Sequence, residues 1–202
     1  MSPEPERQPV LTANGELKRA QIIEAAARLF NELGYHRTST AAIAEDVSTA
    51  KATVYHYFRA KHDILYEIHQ TWIDELIDRF EERQETTSDV RALLRGVFED
   101  ILSLMDSKPG HVRVFFEFFR ELPPDLRAKA KESRDRYESL VEATIARGVA
   151  EGVLKSIDVR TQTFALFGIC NWTYQWFRRD GLYSDQEIAT MLCEIFMDGA
   201  AR

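Results

Sequence analysis

At 202 residues, with 45% hydrophobic and 29% charged content, the chain suits one ordinary globular domain or a small domain joined to a larger one, and it is neither disordered nor membrane-embedded. No window approaches the ~18 consecutive apolar residues of a spanning helix, and "MSPEPERQPVLTANG" lacks the basic–apolar–small order of a secretory signal. The net charge of −7 is uneven: residues 17–62 hold seven Lys/Arg against four Asp/Glu, whereas the chain from Asp63 onward carries a net −8. Such asymmetry points to one part meeting a polyanion, although an exposed mixed-charge helix surface gives a similar count. The two cysteines, Cys170 and Cys193, form no CxxC pair and no disulfide framework, which predicts a cytoplasmic protein with both thiols in its core.

Residues 1–16, with three of the six prolines, read as a flexible tail. From Leu17 the pattern is helical almost throughout. "LKRAQIIEAAARLFNELGY" puts Leu17, Ile22, Ala26, Leu29 and Leu33 on one apolar face and stops at Gly34, a residue suited to a C-terminal cap. "TSTAAIAEDV" follows as a short helix that Ser39 can cap, then a break near Val47–Thr49 and a third helix in "KATVYHYFRAKHDIL".

Beyond Lys61 the helices lengthen. Ile64, Ile68, Trp72, Leu76 and Phe80 recur at spacings of four in the next one. "DVRALLRGVFEDILSLM", "HVRVFFEFFREL", a charge-rich helix from Asp125 to about Gly152, and the aromatic "DVRTQTFALFGICNWTYQWFRR" come in turn. "SDQEIATMLCEIFMDGA" closes the chain, with Ser184 three residues before Glu187 as a capping box. The expectation is an all-α protein of about nine helices. Residues 17–62 would form a small N-terminal unit and residues 63–202 a larger helical domain.

Three short helices with about three residues between the second and third match a helix-turn-helix. In that arrangement one helix lies across the phosphate backbone and the next enters the major groove, where base edges differ in donors and acceptors. Over Ala50–Phe58, Val54 and Phe58 are four apart and can face inward. Lys51, Ala52, Thr53, Tyr55 and His56 then lie outward, short, flat or polar enough to approach bases. Tyr57 and Lys61 fall near the helix end, where they can donate to phosphate oxygens.

"IIEAAARLFNELGYHRTSTAAIAEDVSTAKATVYHYFRAKHDIL" resembles the DNA-binding domain of the TetR family of bacterial regulators, above all in "AAARLFNELGY" and "TVYHYFRAKHDIL". The resemblance covers about 45 residues and implies that Lys51, Ala52, Thr53, Tyr55 and His56 meet bases, while Ser39, Thr40, Tyr57 and Lys61 hold the backbone. Where the family usually has Gly-Val-Ser in the turn, this chain has Ser48-Thr49-Ala50. Ser48 replaces a residue suited to positive φ, and Ala50 replaces a capping serine, so Thr49 is expected to take over the cap.

The last two helices carry candidate dimer stripes: Phe164, Gly168, Trp172 and Trp176 on one, Ile188, Met191, Leu192, Ile195, Phe196 and Gly199 on the other. An intramolecular core accounts for part of each. The resemblance implies a homodimer joined by a four-helix bundle of these helices, and two units bound to successive major grooves of a double-stranded operator. The four phenylalanines of "VRVFFEFFREL" exceed what one contact face needs, and fit either plain core or a cavity for an apolar ligand. "NWTYQWFRRDGLYS" is similar to the closing segments of TetR-type regulators of fatty-acid and steroid breakdown, several of which respond to acyl-CoA thioesters. On that similarity Phe115, Phe118, Phe119, Trp172 and Trp176 would line the acyl site, with Arg113, Arg120 or Arg178 meeting phosphate or carboxylate. The reading is a ligand-responsive repressor with no cofactor and no membrane partner; a helical DNA-binding protein without an effector is the alternative.

Enzyme signatures do not occur: there is no HExxH, Walker loop or GxSxG. His62, Asp63, Glu67 and His69 do not share one face well enough to predict a metal site.

Overall fold

The computed structural model describes residues 12–200 of the chain. Among them are nine α-helices and no strand: α1 Ala13–Leu33, α2 Thr40–Asp46, α3 Lys51–Tyr57, α4 Lys61–Thr86, α5 Val90–Ser107, α6 Pro109–Glu117, α7 Pro124–Ala150, α8 Val159–Trp172 and α9 Asp185–Ala200. Single 3₁₀ turns follow α6 and α8. The first eleven residues of the expected tail lie outside the described residues. Its last part is helical, because the Thr12 hydroxyl accepts from the Gly15 N–H and starts α1 earlier than the apolar pattern does.

α1 ends at Gly34, whose N–H still bonds the Phe30 carbonyl and whose φ of 88° turns the following chain out of the helix. Its buried face is Ile22, Ile23, Ala26 and Phe30, not the broader face expected: Leu17 is 59% exposed and Leu33 also faces solvent. Both belong to turns where no neighbouring helix covers that side. Ile64, Ile68, Trp72, Leu76 and Phe80 of α4 are all buried, so one stripe runs the length of the helix.

That stripe crosses two hydrophobic cores. Ile64, Leu65 and Ile68 pack with Ile22, Phe30, Ile43 and Val54 of α1–α3, together with Val114, Leu122 and Ala130 from farther along the chain. Trp72 through Phe80 pack with α5, α7, α8 and α9. α6 lies close along α1, and at Gly110 an added Cβ would sit 3.1 Å from the Ala27 backbone, so only a glycine leaves this contact relaxed.

α8 is shorter than expected. The buried Thr173 hydroxyl donates to the Ile169 carbonyl, and the Thr173 carbonyl accepts from both Trp176 and Phe177 N–H groups. This tightens the chain into a 3₁₀ turn and stacks Tyr174 on Phe116 at 5.1 Å. Trp176 is therefore off the helix. The expected capping box on α9 forms, with the Glu187 carboxylate accepting from the Ser184 N–H at 2.8 Å and the Ser184 hydroxyl accepting from the Glu187 N–H.

Candidate nucleic-acid interface and effector cavity

The turn between α2 and α3 keeps left-handed geometry without a glycine. Ser48 has φ of 50°, and the Thr49 N–H reaches back to the Ala44 carbonyl at 2.9 Å. The cap of α3 is Ala50, and no side chain bonds to the amides of its first turn. The expectation that Thr49 takes over the cap is thus not met. Its backbone is held in the turn one residue too early, and in the first turn of α3 the Thr53 N–H bonds the Ala50 carbonyl at 2.9 Å while those of Lys51 and Ala52 have no side-chain acceptor.

Val54 and Phe58 are buried, so α3 turns the opposite side outward. Lys51, Ala52, Tyr55 and His56 are exposed, and Thr53 and Tyr57 are half-buried. Lys51 lies 5.6 Å above the Tyr55 ring, and the Tyr55 hydroxyl is 3.1 Å from the Thr40 hydroxyl at the start of α2. Ser39 caps α2 by accepting from the Ala42 N–H at 3.1 Å and stays exposed. These side chains form one outer face shared by two helices.

Lys61 has a different place. Its ammonium donates to the Tyr35 carbonyl at 2.7 Å and to the Thr38 carbonyl at 3.0 Å, and it lies 4.2 Å from the Tyr35 ring centroid. Burial lowers its pKa, with Glu121 acting in the opposite sense. Two of its three protons are engaged inside the protein, which makes it a tie between the α1–α2 loop and α4.

The larger helical region holds a cavity of about 200 Å³. Trp72, Ile73 and Leu76 of α4 and Ile101 of α5 form one side. Phe115 of α6, Tyr137 of α7 and Phe164 and Phe167 of α8 close the rest, with Arg134, Glu138 and Asn171 as polar wall. Of the residues expected at the acyl site, only Phe115 is here. Phe118 and Phe119 pack against the N-terminal core. Trp172 is 65% exposed, and Trp176 is exposed after the helix has ended. The cause is the helical period of α8: Leu166 and Cys170 point inward, which turns Phe164, Gly168 and Trp172 to its rim and outer side.

The expected cations also separate. Arg113 lines a second cleft, of about 440 Å³, with Asn31, Met105, Val112 and Phe177, and its guanidinium donates to Glu117 at 3.0 Å and the Asn31 carbonyl at 3.3 Å. Arg120 is exposed at the 3₁₀ turn, and Arg178 donates to the Phe177 carbonyl. Arg134 was missed. It lies 4.8 Å from the ring centroids of both Phe115 and Phe119, and burial lowers its pKa against the pull of Asp135 and Glu138. The sequence carries a signal for it: Ala130, Arg134, Tyr137, Val141, Ile145 and Gly148 occupy one helical stripe, and Arg134 is the charge on it.

His69 packs on the same two phenylalanines, fully buried with neither ring nitrogen hydrogen-bonded, and burial pushes its pKa down to about 3. The imidazole is therefore neutral at ordinary pH. The Tyr137 hydroxyl is also buried without a partner, which raises its pKa well above the usual phenol value.

Of the candidate dimer residues, Phe164, Gly168, Met191 and Ile195 are exposed and Leu192 is half-buried, whereas Ile188 and Phe196 belong to the intramolecular core. The inward face of α9 runs through Ile188, Ala189, Cys193, Phe196 and Met197, leaving Met191 and Ile195 on the opposite side.

A basic, polar helix presented by a helix-turn-helix, on a helical body with an aromatic cavity, defines a DNA-binding regulator of the ligand-sensing kind. Residues 22–68 match the family described as bacterial regulatory proteins, tetR family, and residues 87–200 match the tetracyclin repressor-like C-terminal domain. The chain belongs to the TetR family of transcriptional regulators.

The solved structure of PfmR, a TetR family transcriptional regulator from Thermus thermophilus, is 32% identical over 90% of this chain and 99% of its own, with a TM-score of 0.83. The fatty acid metabolism regulator protein of Bacillus subtilis (strain 168) is 27% identical over 90% of this chain and 95% of its own. FadR from Bacillus subtilis, solved in complex with stearoyl-CoA, is 26% identical, with 89% of this chain and 98% of that one covered and a TM-score of 0.76. No helix among the described residues is long and apolar enough to cross a membrane.

Proposed function

We propose that the protein is a cytoplasmic, non-enzymatic repressor that binds a palindromic operator as a homodimer and leaves it when an acyl-CoA thioester enters the α4–α5–α7–α8 cavity. The single observation that carries this reading is the double membership of α4. Near its start Lys61 ties the α1–α2 loop to the helix, and three turns later Trp72, Ile73 and Leu76 line the cavity. A group wedged against that part of α4 tilts the segment on which the reading head is mounted. Ligand shifts the balance only by its difference in affinity for the two positions.

On DNA, Lys51, Ala52, Thr53, Tyr55 and His56 face bases, while Ser39, Thr40 and Tyr57 hold phosphates beside the open amides of α3. Exposure of the α3 face and its link through Tyr55 to Thr40 support this assignment. Exposed Phe164, Gly168, Trp172, Met191 and Ile195 support pairing of α8 and α9 with those of a second copy, since apolar patches of this kind mark association surfaces.

The test is fluorescence anisotropy on operator DNA recovered by selection from the source genome, with and without a panel of acyl-CoA thioesters. Release by one or more members is expected. Binding of DNA that no thioester relieves would favour the effector-free alternative. Lys51→Ala is expected to change the preferred sequence and Tyr57→Phe to weaken all sequences alike.

A further inference from the structure

We infer that the effector carries a compact acyl group, an aromatic ring or short branched chain, whose neutral carbonyl oxygen meets Arg134 inside the α4–α5–α7–α8 cavity. This rests on the proposed thioester response and names the part of the thioester that the cavity selects.

Size comes first. At about 200 Å³ the cavity is smaller than the roughly 300–1,000 Å³ of sites that enclose a drug-sized ligand. The space fits a small group, not an extended fatty chain. Its walls agree: Trp72, Phe115 and Phe167 present broad, stiff aromatic surfaces, which suit a flat ring or a branched cluster of methyl groups. Trp72 and Phe115 are themselves buried with ring centroids 6.0 Å apart, so neither can swing aside without disturbing the core.

Chemistry comes second. Arg134 borders this apolar space with its guanidinium against the rings of Phe115 and Phe119. Among the described residues it has no hydrogen bond or ion pair. Contact with two ring faces leaves the in-plane N–H groups as donors awaiting an acceptor. His69, on the same two rings, is uncharged and supplies no competing cation.

Glu138 decides between acceptors. It lies one turn from Arg134 and lines the same cavity. A free carboxylate entering there would bring a second acidic group to the wall that Glu138 lines, which disfavours it against a neutral acceptor. A thioester carbonyl is a neutral acceptor. It takes a hydrogen bond from Arg134, and the Asn171 side-chain amide is a second donor on the opposite helix.

Isothermal titration of the full-length protein with benzoyl-CoA, isobutyryl-CoA, palmitoyl-CoA, benzoate and CoA itself tests the inference. At least one compact thioester is expected to bind tenfold or more tightly than palmitoyl-CoA, with benzoate and CoA weaker than that thioester. Arg134→Met is expected to lower affinity for the compact thioester at least tenfold, and Arg134→Lys to restore part of it. Thermal unfolding and the helical circular dichroism of both variants show whether the fold is kept, and Arg134→Lys stands as the test if Arg134→Met unfolds. Equal or tighter binding of palmitoyl-CoA, binding of benzoate as strong as that of its thioester, or full affinity in a folded Arg134→Met protein overturns the inference but leaves a thioester-responsive regulator. Binding of no thioester at all overturns that reading as well.

Discussion

The Lys61 ammonium lies 2.7 Å from the carbonyl of Tyr35 and 4.2 Å from the centre of the same residue's ring, binding the end of the α1 region to the first turn of α4. A lysine in the signature stretch of a helix-turn-helix reads naturally as a phosphate contact. Here it is first a clamp, because it gives the Thr38 carbonyl a donor and the Tyr35 carbonyl a second one beside the Thr38 N–H, in a half-buried place.

Lys61→Met is therefore expected to destabilise the protein by about 1–3 kcal/mol, the range for losing hydrogen bonds to a charged donor. Urea unfolding followed by circular dichroism measures it. The salt dependence of DNA binding should barely change. An unaltered unfolding midpoint together with a salt slope reduced by about one would make Lys61 a phosphate contact after all.

The turn before α3 leaves two separate gains open. Ser48→Gly removes the strain of a left-handed serine, about 1 kcal/mol, since φ there is 50°. Ala50→Ser supplies the missing cap of α3, about 0.5–2 kcal/mol, since no side chain caps it now. Each substitution should raise the thermal midpoint. The serine should also alter DNA affinity, because it occupies amides that otherwise stay open to phosphate.

Acid should weaken the fold through its buried imidazoles. His69 and His111 have pKa values lowered by burial to about 3 and about 4, against an ordinary 6.5. Between these values the unfolded chain binds more protons than the folded one. The contribution is thus complete above pH 6.5 and is lost as pH falls through that window, by up to about 1.4 kcal/mol per pH unit for each histidine. His69→Phe, which keeps an aromatic ring beside Phe115 and Phe119, should flatten the fall in stability between about pH 6 and pH 4.5. An unchanged slope would show that His69 is not buried and neutral in solution.

Ile195 is 64% exposed on the outer face of α9. Ile195→Glu places a charge where the partner's helix is proposed to sit, and is expected to shift the species measured by light scattering from dimer to monomer. Cys193→Ser, on the inward face, should lower the unfolding midpoint without that shift. A dimer that survives Ile195→Glu would place the interface elsewhere.

The chain's residues by themselves settle the all-α class, the helix-turn-helix and the family. The stripes are long and regular, and the motif is local in sequence: Val54 and Phe58, four residues apart, both face inward. Side chains that work across distant segments were not legible in this way. Arg134 meets Phe115 and Phe119 from another helix, and Lys61 answers carbonyls 23 and 26 residues earlier. Whether Phe164 and Trp172 face a cavity, a partner or solvent depends on where Thr173 breaks α8 and on which turn of the helix meets its neighbours. Periodicity sorts residues onto faces, but only packing decides what each face meets.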